Sequence, residues 1–160
     1  MTHLRFRRAD PEDAALVQTI SAEVYVPAYR PVMGYVPKPA IEDYSKWIKE
    51  RNVWIAESDG QASGVLVLEP STDHLMIYSI AVLPRCQGSG LGKALLAFAE
   101  DRARTIGVTE VRLYTNRRME RNVALYRAVG FVEVGDRSHP SRPGEVLIDM
   151  AKKVRRVGVA

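Results

Sequence analysis

A chain of 160 residues with 46% apolar and 26% charged side chains has the composition of one folded domain with a substantial core, which excludes a disordered or fibrous chain. The formal net charge of +4 is spread from Arg5 to Arg156 without a basic run interleaved with aromatics, so it suits an anionic small ligand and leaves no nucleic-acid footprint. Cys86, the single cysteine, allows neither an intrachain disulfide nor a cysteine zinc site, residues 4–8 alternate basic and apolar side chains without an apolar h-region, and no apolar run reaches ~18 residues; the expectation is a soluble cytoplasmic protein with no metal and no membrane contact.

Residues 4–9 alternate basic and apolar side chains, as an edge strand does. Asp10 as N-cap, Pro11 at the first helical position and acids in the first turn predict a helix whose buried face is Leu16, Val17, Ile20 and Val24. Over residues 25–39 the prolines Pro27, Pro31, Pro37 and Pro39 predict a break in regular structure. Tyr25, Tyr29, Met33 and Tyr35 make this expected loop aromatic, either a connector over the edge of the core or a substrate-facing lid. Ile41, Tyr44 and Ile48 are spaced for a short second helix ending near Arg51 and Asn52.

Residues 53–57 and 62–69 read as a hairpin about Asp59-Gly60, and residues 75–83 as a mostly apolar strand at the centre of the sheet. Leu91, Leu95, Phe98, Ala99 and Ala103 recur at helical spacing over residues 91–106, with Gly107 as the stop. A strand at 110–115, a helix at 119–129 closed by Gly130, and strands at 131–134 and 145–151 follow. The expected domain covers residues 1–153, and residues 154–160 form a frayed basic tail with no role beyond solubility. Two helices, a three-strand meander and one parallel crossover predict an α/β fold. Its sheet is mixed, mostly antiparallel and twisted, with about seven strands and helices on both faces.

Between the central strand and the long helix lies Arg85-Cys86-Gln87-Gly88-Ser89-Gly90-Leu91-Gly92-Lys93. A junction of strand, glycine loop and helix offers backbone N–H groups and the positive end of a helix dipole, about half an elementary charge, to a phosphate. A nucleoside-triphosphate loop fails here, because Gln87 stands at its first glycine and Ala94 at its Ser/Thr. The dinucleotide fingerprint fails as well, its third glycine falling on Lys93 or Leu95. What remains is Gln87, Gly90 and Gly92 behind Val82-Leu83-Pro84. This resembles the pyrophosphate motif of the GNAT superfamily of acyl-CoA-dependent N-acyltransferases: Gln or Arg, two residues, Gly, one residue, Gly or Ala. Asn122 and Tyr126, four apart on one helix face ahead of Gly130-Phe131, resemble the family's later motif. The string from Leu113 to Phe131 is similar to small single-domain bacterial-type N-acetyltransferases.

The resemblance implies splayed central strands with pantetheine in the gap, acetyl-CoA as co-substrate, no metal, an amine of a small molecule or peptide as acceptor, and a possible homodimer. It places pantetheine on the backbone of Ile80, Ala81 and Val82 and the pyrophosphate on the backbone of Gln87, Gly88, Ser89, Gly90, Leu91 and Gly92; Arg85 and Lys93 flank the loop, either facing the phosphates or forming a solvated face. Tyr126 either contacts the cofactor or anchors its helix to the sheet, Asn122 hydrogen-bonds pantetheine or an adjacent backbone group or caps the helix, and Asn116 ends its strand near the same gap. The implied reaction is direct attack in a ternary complex, the Val82 N–H meeting the oxyanion and the Tyr126 phenol, of ordinary pKa ~10, protonating the thiolate. Many relatives carry a carboxylate on the central strand where this chain has Tyr78 and Ser79, so no direct base is identified. Glu69, Asp73 and His74 are either solvated turn residues or bases acting through water. Cys86 lacks a histidine to activate it as a nucleophile. Trp47 and Trp54 are expected in the core. The competing reading is a CoA-binding regulatory or interaction module with little or no transferase activity.

Overall fold

A computed structural model describes residues 3–155. Its elements are β1 (Leu4–Arg8), α1 (Ala14–Met33), α2 (Ser45–Lys49), β2 (Val53–Ser58), β3 (Gln61–Pro70), β4 (Leu75–Val82), α3 (Leu91–Ile106), β5 (Glu110–Asn116), α4 (Glu120–Ala128), β6 (Val132–Ser138) and β7 (Val146–Lys153). The strands form one seven-stranded sheet in the order β1-β2-β3-β4-β5-β7-β6. Its β1–β2, β2–β3, β5–β7 and β6–β7 pairs are antiparallel, and β4–β5 is parallel through Leu75 with Val111 and Met76 with Arg112. The expected element order and mixed sheet are therefore observed. No helix among the described residues is long and apolar enough to cross a membrane.

By packing, the chain divides into two compact units, the first made of Met1–Glu69 with Tyr78–Leu96. Here the Asp10 N–H donates to the Asp13 carboxylate at 2.7 Å, closing a 3-10 turn that leads into α1. Arg7 donates to Asp13 at 2.8 Å and to Glu57 at 3.2 Å, and its hydrogen bond holds the Asp13 carboxyl below the usual range. The core gathers Val17, Ile20, Tyr44, Ile48, Val53 and Ile55, among others.

The predicted break after Val24 is corrected: α1 runs through Pro27 and Pro31 to Met33 and stops at Gly34, whose φ of 74° lets its N–H return to the Arg30 carbonyl at 2.9 Å. A proline's φ near −65° is already helical, and its cost is one lost donor and crowding of the preceding turn. Tyr25 and Tyr29, tilted against each other one turn apart with ring centroids at 5.6 Å, and buried Met33 contribute packing that offsets it. The second helix is also shorter than expected. Tyr44 is its buried N-cap, whereas Ile41 lies outside it and is 68% exposed.

Asp59 and Gly60, at φ 51° and 82°, make the predicted hairpin turn. At Gly64 in β3 a Cβ would lie 2.7 Å from the Ala81 carbonyl of β4, so glycine sets how closely these strands approach. Trp47 and Trp54 are half-buried rather than core: Trp47 packs at the edge of the cluster, and Trp54 lies 4.8 Å beneath the Arg8 guanidinium.

The second unit comprises Pro70–Ile77 with Ala97–Ala160. Within it β7 inserts between β5 and β6, registering Leu113 against Met150 and Asp136 against Ile148. Gly130 adopts φ 101°, and Lys152 reaches Glu100 at 2.7 Å. The packed chain extends past the expected start of the tail: β7 includes Lys153, and Val154 is buried with its N–H on the Thr109 carbonyl at 2.8 Å. Residues 156–160 of the expected tail lie outside the described residues.

Candidate functional site

In the first unit, β4 hands over to α3 through the glycine loop. Leu83 is buried and its N–H donates to the Ser63 carbonyl at 2.9 Å, which pins the end of β4 to β3. Pro84–Cys86 make a 3-10 turn, and the Gln87 side-chain amide reaches back to the Val82 carbonyl at 3.1 Å. Gly88 and Gly90 stand at φ 81° and 86°, where an L side chain is strained, and a Cβ on either would meet no atom within 4 Å. The Ala94 N–H donates to the Gly90 carbonyl at 3.0 Å, opening α3 with Leu91 buried beneath.

The loop therefore offers main-chain groups on an open face, as a helix N-terminus that receives an anion does. The Ser89 hydroxyl turns back, its Oγ donating to the Cys86 carbonyl, and Lys93 is exposed. Arg85, exposed beside the loop, donates from its guanidinium to the Ala62 carbonyl at 3.0 Å. Cys86 is half-buried in the turn, its N–H on the Leu83 carbonyl.

Along β4, Ser79 and Ala81 are buried while Tyr78, Ile80 and Val82 alternate on the half-exposed face. The first unit brings hydroxyl groups to this strand that are far apart in sequence. Tyr25 Oη donates to the Ile80 carbonyl at 3.1 Å, accepts the Ile80 N–H at 3.3 Å and lies 2.9 Å from Ser79 Oγ. One of the main-chain groups expected to hold a ligand is thus engaged by a phenol. Tyr44 donates to the Pro39 carbonyl at 2.6 Å, and burial pushes its phenol well above the usual range. Tyr78 donates to Glu42 Oε2 at 3.0 Å and stacks on Trp47 with ring centroids 4.6 Å apart. The Glu42 side chain is only 18% exposed, and Lys38 Nζ stands 3.7 Å from it. Tyr25's engagement of β4, Tyr44 and above all Glu42 are not foreseen from the sequence. The only signal was the tyrosine-rich run after Val24, which the prolines disguised as a loop.

Glu69 is exposed at the end of β3. In the second unit Asp73 and His74 hydrogen-bond each other at 2.6 Å in the turn before β4, and this bond lowers the pKa of Asp73. Asn116 ends β5 as a structural clasp: its amide donates to Glu145 at 3.0 Å, lowering that carboxyl's pKa, and its oxygen accepts the Arg118 N–H. On α4, Tyr126 is 8% exposed with its ring edge-on to Phe131 at 6.1 Å, and Asn122 is half-buried one turn earlier.

Residues 22–131 match the family model described as "Acetyltransferase (GNAT) family". The chain is 30% identical over 151 residues to the mycothiol acetyltransferase of Sanguibacter keddieii, covering 89% of this chain and 47% of that protein. It is 33% identical over 88 residues to N-acetyltransferase family 8 member 2 of Rattus norvegicus, covering 51% and 39%. The chain thus spans about half, or less, of the length of these curated relatives. Among solved structures it superposes on the ribosomal-protein-S18-alanine N-acetyltransferase of Escherichia coli with a TM-score of 0.77 at 21% identity, covering 98% of this chain and 97% of that one. The PaiA N-acetyltransferase of Thermoplasma acidophilum, solved with coenzyme A, gives 0.76 at 19% identity, covering 94% and 99%. At these identities the superpositions establish the fold.

Proposed function

The chain belongs to the GNAT acetyltransferase family, and on that premise we propose that it transfers an acetyl group from acetyl-CoA to an amine of a small molecule or peptide, by direct attack in a ternary complex. The observation that carries this reading is the loop, where two left-handed glycines present main-chain groups on an open face at the start of a 16-residue helix. The Gln87 N–H closes the preceding turn on the Pro84 carbonyl at 3.3 Å, so backbone N–H groups at Gly88 to Gly92 and the helix dipole hold the pyrophosphate, and the β4 backbone from Ile80 to Val82 receives the pantetheine arm. The bound thioester supplies an activated acyl group. The Val82 N–H is assigned the developing negative charge on the acyl oxygen, and the Tyr126 phenol gives its proton to the leaving sulfur. Asn122, one turn before Tyr126, is assigned a hydrogen bond to the cofactor.

Calorimetric titration with acetyl-CoA, followed by thiol release over a broad amine panel, tests the proposal. Micromolar binding with turnover of at least one amine is the expected result, and no binding at high micromolar concentration overturns it. Binding without thiol release from any amine replaces it with a CoA-binding module.

A further inference from the structure

An amine attacking a thioester must lose a proton, and β4 carries no carboxylate to take it. We propose that Tyr78 takes that proton and relays it to Glu42, which approaches β4 from the segment ahead of α2. This inference rests on the transferase reading and supplies the proton acceptor on its amine side.

Tyr78 shares the half-exposed face of β4 with Ile80 and Val82, and at about 3.3 Å per residue its Cα stands about 7 Å from that of Ile80 and about 13 Å from that of Val82, so a bridging water carries the proton from the amine to the phenol. Its hydroxyl donates to Glu42 Oε2 at 3.0 Å, so a proton accepted by the phenolic oxygen has a carboxylate to pass to. Stacking on Trp47 at 4.6 Å fixes the ring. The neighbouring phenols are engaged otherwise, Tyr25 with Ile80 and Ser79, and Tyr44, 1% exposed, with the Pro39 carbonyl. Among the described residues the titratable groups shown facing Glu42 are Tyr78 from β4, Tyr44 on its own segment, and Lys38 from the preceding turn, whose side chain is 77% exposed and therefore a weak partner.

The step balances. The amine nitrogen forms the C–N bond to the acyl carbon, and the C–S electron pair leaves with sulfur. The N–H proton passes through a bridging water to Tyr78 Oη as the Tyr78 proton passes to Glu42 Oε2, and protonated Glu42 returns it to water after release. Tyr78 is the catalytic residue in this scheme and Glu42 the positioning residue and proton store.

The test compares Glu42→Gln, Glu42→Asp and Tyr78→Phe with wild type by kcat, KM and pH profile on an accepted amine, with acetyl-CoA affinity measured in parallel. Glu42→Gln and Tyr78→Phe are expected to lower kcat by about 100-fold or more with acetyl-CoA affinity within about twofold. The deficit shrinks as pH rises toward the amine's own pKa, where the substrate arrives deprotonated, and Glu42→Asp recovers part of it. Either neutral variant within about threefold of wild-type kcat, with an unchanged pH profile, overturns the relay. So does a Glu42→Gln enzyme that raises only the KM for the amine, since Glu42 then holds a charge rather than a proton. Should Glu42→Gln lose its fold, Tyr78→Phe, which keeps the ring on Trp47, decides alone. A wild type that binds no acetyl-CoA or acetylates no amine removes the transferase reading and this relay with it; an active wild type with unaffected variants removes only the relay.

Discussion

The glycine loop and the hydroxyl cluster on β4 belong to the same unit but are assembled from opposite materials. In the loop the groups available to a ligand are main-chain donors, set by left-handed residues two positions apart, Gly88 and Gly90. In the cluster they are side-chain oxygens delivered by α1, by the segment before α2 and by β4, with Tyr25 and Ser79 meeting across 54 positions. A main-chain device tolerates most side chains but no change of φ, so it leaves a spacing in the sequence. A side-chain device needs only that oxygens converge in space, which many segments can arrange, so it leaves none.

The comparison is broken most severely at the frame both regions share. Gly64→Val drives a side chain into the Ala81 carbonyl from 2.7 Å, and neither backbone can yield without opening β3 from β4. Overpacking of this kind costs about 3 kcal/mol, which lowers the melting temperature by roughly 6–12 °C for a chain of this size, and calorimetry should show acetyl-CoA affinity falling with it. Gly90→Val attacks the loop alone. Strain at φ 86° costs about 1–3 kcal/mol, and titration should show at least a tenfold loss of acetyl-CoA affinity with turnover chemistry otherwise intact; Ser89→Ala, whose hydroxyl turns inward, costs about twofold or less.

Tyr25→Phe sharpens the contrast in the other direction. It releases the Ile80 N–H and carbonyl from their phenolic partner, costing about 1 kcal/mol of stability. A ligand that claims Ile80 then displaces no hydrogen bond, so acetyl-CoA should bind severalfold more tightly to this less stable protein. The smallest effect lies outside both regions. The Asp13 carboxyl titrates below its ordinary range because Arg7 donates to it, so its contribution is complete above the unfolded pKa of ~3.9 and disappears as pH falls through the depressed folded value. Melting temperatures measured below about pH 5 should fall less steeply for Arg7→Gln than for wild type.

Elements governed by local chemistry were legible. The Asp59-Gly60 hairpin, the Gly107 stop and the 91–106 helix follow from turn residues and periodicity, and the order of strands and helices follows from them in turn. The loop was legible because its glycines stand at fixed offsets from Gln87. The path of α1 was not, since Pro27 and Pro31 signal a break when counted one residue at a time, and only the packing of Tyr25, Tyr29 and Met33 carries the helix through them. Glu42 was not legible either. An acid between two short helical turns reads as solvated surface until β4 brings Tyr78 to it. Arg85 is the converse, a cation beside a phosphate motif whose partner proves to be the Ala62 carbonyl.

The two prolines of α1 also set how the protein breathes. Proline has no N–H, so the carbonyls of Glu23 and Pro27, four residues before each, lack their helical donor, and the half of α1 that carries Tyr25 and Tyr29 is held more by its side chains than by its ladder. Such a segment opens locally at lower free energy than the sheet beneath it. In native-state hydrogen exchange the amides of Tyr29 and Val32 should exchange ahead of those of Ile20 and Ser21 on the same helix. The same order of opening is expected between the two elements that meet at Ile80: the aromatic half of α1 first, the strand that carries Tyr78 later.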